Sequence, residues 1–360
     1  MVYRDVFLNL NLRRLFGAIF LILLNCLPDL TNYVLEAFTA LDIHPDVLAE
    51  VRANMLRRLA LVPMADVPVV VKFLIDTTQA GEEEDLFRQV REELDITAER
   101  TLTTQHTQQQ RSGGLGASGN KGKEKDVDTL TLDIIRSSMT SSKKASAAWY
   151  HVVEVLKRRE DHRPLDLMIL LLLHELPHRR KVVESLIRSK VRGGLLSREL
   201  VSKTFRNHAD ALRKNFDGIL SIAEQLGLIR GEPSLNDFAL VLYQECFLHF
   251  DTFCQQNLIG DLVMKANGGA DGPVGLETSI KTLSHLAFNF TEQASKFSLM
   301  LVTILDHVDC LQLSQVRSVY DLLSYLAYYG GDSAETNCLK DNLHIVVRKQ
   351  GGNSIEILLA

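Results

Sequence analysis

Residues 164–194 read PLDLMILLLLHELPHRRKVVESLIRSKVRGG, and this stretch decides the fold. From Pro164 to Leu176 nearly every position is apolar, so a helix here must be buried on almost all sides. Pro164 suits a first helical turn, and Pro177 ends the run. The second half is amphipathic. Val182, Val183, Leu186, Ile187 and Val191 recur at spacings of three and four, which is one stripe on a helix. Arg179, Arg180, Lys181, Arg188, Lys190 and Arg192 surround it, with Glu184 the only acid, and Gly193-Gly194 stops it. Lys190 falls beside the stripe, next to Val191, where its long side chain is expected to be half covered by whatever packs on the helix.

The same period extends in both directions. Leu30, Val34, Phe38 and Leu41 form one face, then Val47, Val51, Met55 and Leu59. GEEEDLFRQVREEL places acids in a first turn, where the helix dipole favours them. Residues 101–125, TLTTQHTQQQRSGGLGASGNKGKEK, lose all apolar periodicity and read as a disordered linker. Period returns at Val127, Leu130 and Ile134, then at Trp149, Val152 and Leu156, and helices follow as far as Tyr329. No sustained alternation with hairpin signals is present. Many helices joined by short links predict an all-α fold of degenerate antiparallel hairpins, an α-solenoid of the HEAT or armadillo kind. The expected organisation is a helical segment over 1–100, the linker at 101–125 and a second helical segment over 126–360.

Composition bounds the function. Of 360 residues, 46% are hydrophobic and 24% charged, the balance of a folded soluble chain. Net charge is −5, yet residues 157–214 carry fifteen Lys and Arg against seven acids, a basic middle in an acidic chain. Cys26, Cys246, Cys254, Cys310 and Cys338 are scattered without a CxxC, which reads as buried thiols in a reducing, intracellular compartment. LFGAIFLILL (15–24) imitates a signal peptide but has no cleavage motif, and ten residues fall short of the ~20 that span a bilayer. A core helix is expected there.

Several motifs invite a chemical reading. His174-Glu175-Leu176-Pro177-His178 spells HExxH, but Pro177 between the histidines breaks the helical face that zinc chelation needs, and metal is not expected. Gly114, Gly116 and Gly119 spell GxGxxG in polar linker, without the strand a dinucleotide site requires. Thr104-Gln105 and Thr107-Gln108 are candidate phosphorylation sites for checkpoint kinases. No catalytic constellation stands out, and a non-enzyme without cofactors is expected.

Five stretches carry a family resemblance, in order: LPDLTNYVLEAF (27–38), DVPVVVKFLID (66–76), IRSKVRGG (187–194), FDTFCQQNLIGDLV (250–263) and DNLHIVVRKQ (341–350). Together they resemble the Fanconi anaemia group D-two family, of which this chain looks like an internal piece of the N-terminal half. The resemblance implies a nuclear, chromatin-associated scaffold of DNA interstrand-crosslink repair. It implies pairing with the Fanconi anaemia group I protein, one ubiquitin attached by a group L ligase with its conjugating enzyme, and closure on double-stranded DNA. By its IRSKVRGG context the ubiquitin acceptor is Lys190, with Arg179, Arg180, Lys181, Arg188 and Arg192 as candidate contacts to DNA or partner. Arg188 and Arg192 are expected to favour the neutral Lys190 amine by like-charge repulsion. The competing readings are the paralogous group I scaffold, a generic helical adaptor without DNA binding, and a zinc peptidase through His174 and His178.

Overall fold

The computed structural model describes residues 33–35, 45–94, 120–268, 272–331 and 333–359. The apolar run at 15–24, most of 27–38, the GxGxxG, Thr104 and Thr107 all lie outside them. Among the described residues every regular element is a helix, and the all-α class expected from periodicity holds. These residues form two compact units, one from Met1–Lys190 with Gly194–Asn215 and the other from Val191–Gly193 with Phe216–Ala360.

The first unit contains α1 (Pro45–Arg58), α2 (Val67–Asp76), α3 (Glu83–Glu93), α4 (Asn120–Ser141), α5 (Lys143–Glu154) and α6 (Pro164–Glu175). It also holds α7 (Arg180–Arg192) up to its last turn, and α8 (Arg198–Leu212). Contacts run mainly between near neighbours: α1 meets α2 and α3, α4 meets α5, and α5 meets α6, while α8 packs on α4 and α6. Local chemistry sets the boundaries. Ser142 accepts the Ala145 amide (3.2 Å) at the start of α5, and Ser197 accepts the Leu200 amide (3.2 Å) at the start of α8. Pro164 opens α6, and every residue from Pro164 to His174 is buried, as its unbroken apolar run requires.

The polar stretch does not divide the molecule. α2 packs on α4 and α3 on α5, with Phe87 and Trp149 stacked at 4.6 Å between ring centroids, so helices on both sides of it share one core. α4 also begins at Asn120, inside the stretch that composition gives to linker.

The second unit contains α9 (Phe216–Gly227), α10 (Pro233–His249), α11 (Thr252–Ala266), α12 (Gly272–Asn289), α13 (Thr291–Ser295), α14 (Ser298–Val302), α15 (Leu313–Tyr329) and α16 (Ala334–Leu359). Here α9 pairs with α10, α11 with α12, α12 with α15 and α15 with α16. Cys246 and Cys254 are buried there, but Cys338 is exposed, so burial does not extend to every thiol. No described helix is long and apolar enough to cross a membrane.

Candidate functional site

α7 ends as its glycines predict. Gly194 takes a left-handed φ of +65°, and the Leu195 amide returns to the Lys190 carbonyl at 2.9 Å, closing the last turn. The buried face of α7 is Val183, Ile187, Lys190 and Val191. Val182 is 45% exposed and Leu186 half-buried, so the stripe lies further round than the hydrophobic count suggests. Lys190 is part of it. The expectation of half coverage is therefore corrected: Lys190 is 2% exposed, and its own chain covers it.

The residues over it belong to the connection between α5 and α6. Lys190 Nζ donates to the Leu156 carbonyl at 2.8 Å and lies 3.1 Å from His162 Nε2. His162 Nδ1 is 2.7 Å from the Arg158 carbonyl. A carbonyl only accepts, so the proton sits on Nδ1 and leaves Nε2 as an acceptor aimed at the lysine. Below lies Asp166, fully buried, which takes Arg91 through Nε (2.8 Å) and Nη2 (2.7 Å) and the Arg163 amide at 2.7 Å. Arg91 also donates to the Asp161 carbonyl.

Electrostatics follows this layout. Burial pushes the Lys190 ammonium below its usual range, opposed by the charges of Asp166 and Glu154. Arg188 and Arg192 are not among the causes, so like-charge repulsion gives way to desolvation as the explanation. Burial likewise lowers His162, opposed by its bond to the Arg158 carbonyl and helped by the Lys190 charge. Arg91 is raised, first by its hydrogen bond to Asp166. While it stays covered, the amine gives up its proton more readily than a surface lysine does.

The basic residues around α7 scatter. Arg180 and Lys181 are exposed, and Arg179 and Arg188 half-buried. Arg179 reaches Ser146 Oγ and the Lys143 carbonyl, both at 3.4 Å, while Arg192 forms a two-pronged pair with Glu232 at 2.8 and 3.0 Å. The HExxH residues part company: α6 stops at Glu175, His174 Nε2 faces Glu184 at 3.2 Å, and His178 Nε2 faces Ser146 Oγ at 3.2 Å. Among the described residues no three His, Cys, Asp or Glu side chains gather as metal ligands would. Sequence reasoning missed His162, Asp166 and Arg91. Their only sequence signal is polarity at positions flanked by apolar or structured residues.

The family described as "Fanconi anaemia protein FancD2 nuclease" matches residues 20–357. The chain belongs to that family. The Fanconi anemia group D2 protein of Gallus gallus is 28% identical over 331 residues, which is 91% of this chain and 23% of the chicken protein. The homolog of Mus musculus is 27% identical over 332 residues, with the same shares, and that of Drosophila melanogaster is 20% identical over 190 residues, 53% of this chain and 13% of its own. This chain thus spans under a quarter of the length of its vertebrate relatives. Membership makes it a protein of the Fanconi anaemia pathway, within DNA repair. The family's description carries the word nuclease, which the sequence reading as a non-enzyme did not anticipate.

Proposed function

We propose that this chain is part of a scaffold for interstrand-crosslink repair, and that Lys190 accepts one ubiquitin. The scaffold works with the Fanconi anaemia group I protein, and the modified pair closes on double-stranded DNA in the nucleus. The observation that supports the acceptor is the Lys190 amine, buried between a carbonyl and a neutral imidazole with no carboxylate in contact among the described residues. A lysine attacks a ubiquitin thioester only as the free amine, forming the amide bond as the thiol leaves. An environment that disfavours the ammonium raises the share of free amine for as long as the amine stays covered.

Exposed Arg180 and Lys181 suit phosphate oxygens or an acidic partner face, whereas Arg192, already paired with Glu232, suits them less. Thr104 and Thr107 remain candidate phosphorylation sites. Phosphopeptide mass spectrometry after crosslinking damage should find at least one of them modified, and finding neither removes them from the scheme.

The test is ubiquitin transfer to the full-length chain, with the ligase, the group I partner and duplex DNA, comparing wild type with Lys190→Arg. One ubiquitin on wild type and none on the variant supports the reading, and equal modification overturns it. The word nuclease is tested on the same preparation by incubating labelled duplex with magnesium. A scaffold leaves the duplex intact.

A further inference from the structure

Four helices of the first unit carry acids in their first turns, where the helix dipole favours them: Asp46 in α1, Glu83, Glu84 and Asp85 in α3, Asp166 in α6 and Glu199 in α8. Two helices do the reverse. α5 starts with Lys143 and Lys144, α7 starts with Arg180 and Lys181, and neither has an acid in its first turn. The two starts adjoin. Arg179 reaches Ser146 Oγ and the Lys143 carbonyl, and His178 Nε2 lies 3.2 Å from the same hydroxyl. Lys143, Lys144, Arg179, Arg180 and Lys181 thus lie in two bonded segments, and all but half-buried Arg179 are exposed. No acid occurs in residues 142–146 or 176–183. The flanking Glu175 and Glu184 face Arg136 and buried His174 instead, and none of the five cations forms an ion pair among the described residues.

We propose that this surface docks an acidic peptide segment of a protein partner. Its cations work against the helix starts that carry them, since each meets a positive dipole end and like-charged neighbours. A negatively charged partner reverses the sign of that interaction, and clusters of basic side chains recognise acidic peptides in this way. Two features favour a peptide over a duplex. The cations are confined to two short segments, whereas a duplex, with about one charge per 1.7 Å of its axis, calls for cations set along a track. Beside them in the chain are exposed Pro177 and Val182, which is 45% exposed, apolar surface that a peptide side chain covers and a phosphate backbone does not. The proposal rests on the reading of Arg180 and Lys181 as contact residues and narrows it to an acidic partner. It takes nothing from Lys190, which lies buried toward the other end of α7.

The experiment is fluorescence anisotropy of the full-length protein with a labelled peptide of Asp and Glu around one leucine, and separately with a short labelled duplex. Two variants reverse charge on the surface, Lys143→Glu with Arg180→Glu, and Lys144→Glu with Lys181→Glu. A third, Lys203→Glu with Arg206→Glu, makes the same change of net charge at exposed positions of α8. The peptide should bind wild type, at least about tenfold more weakly either surface variant, and the α8 variant within about twofold of wild type, with circular dichroism unchanged throughout. Val182→Ser should weaken it about threefold. Either surface variant suffices if the other fails to fold. No binding to wild type, or an equal loss in the α8 variant, overturns the proposal. A duplex that displaces the peptide and is itself lost in the surface variants overturns it in favour of backbone phosphates. A concentration-dependent dimer in sedimentation, abolished by the same variants, overturns it in favour of a second copy of the chain. Ubiquitin transfer on these proteins keeps the two claims apart: peptide binding with no ubiquitin on Lys190 overturns the acceptor reading and supports the docking surface.

Discussion

Two buried cations share one polar cluster and are treated in opposite ways. Arg91, 6% exposed, meets a carboxylate through two parallel hydrogen bonds, and that partner holds its charge in place. Lys190, 2% exposed, meets a carbonyl and an imidazole, and burial works against its charge. The two are linked through residues 161–166, which supply an acceptor to both. Depth of burial is therefore no guide to the role of a cation here; its counter-group is. The arginine anchors α3 to the start of α6, and the lysine occupies a place where its charge is easily lost.

The largest test of this contrast is Asp166→Ala, which strands Arg91 without its counterion and removes the acceptor of the Arg163 amide. Breaking a buried pair from one side costs about 3–5 kcal/mol, to be read from urea denaturation. A loss under about 1 kcal/mol would make Arg91 no anchor and end the comparison. Next comes Gly194→Ala, which forces a side chain into the left-handed conformation that closes α7 and should cost about 1–2 kcal/mol. Lys190→Met should stay within about 1 kcal/mol of wild type, because the lost hydrogen bonds are offset by the removal of a buried charge that lacks a counterion. A loss as large as that of Asp166→Ala would instead make Lys190 a structural pillar equal to Arg91.

The smallest expected effect is a pH dependence. His162 and His174 both hold protons less readily in the folded chain than at their ordinary value of 6.5, chiefly through burial. Below pH 6.5 the unfolded chain therefore binds more protons than the folded one, and stability falls as pH drops through that value toward the lowered folded values. Thermal melts from pH 7.5 to 5.5 should decline less steeply in His162→Gln than in wild type. Parallel slopes would remove His162 from the titration.

Much of the fold was legible because it is written locally. The unbroken apolar run of α6, the serine caps of α5 and α8 and the glycine stop of α7 each act within a few residues. The site was legible only as a helix and a family motif. Counting Val182 and Leu186 into the stripe rotated the inferred face and left Lys190 at its edge, whereas the buried face is Val183, Ile187, Lys190 and Val191, with Lys190 bonded to residues 156 and 162, which have no periodicity to read. Arg91 and Asp166 are 75 residues apart, with a long polar stretch between them that gives no hint that its flanks share a core. Tertiary pairing across such a distance leaves no trace in one sequence.

The most direct measurement on the central claim is the position of the ubiquitin remnant. The full-length protein, isolated from cells after interstrand crosslinking, would be digested and its diglycine-modified lysines mapped by mass spectrometry. The account predicts a remnant on Lys190 that dominates those on every exposed lysine of the same region, Lys181 and Lys214 included. A dominant remnant on one of those surface lysines, with Lys190 unmodified, would contradict it.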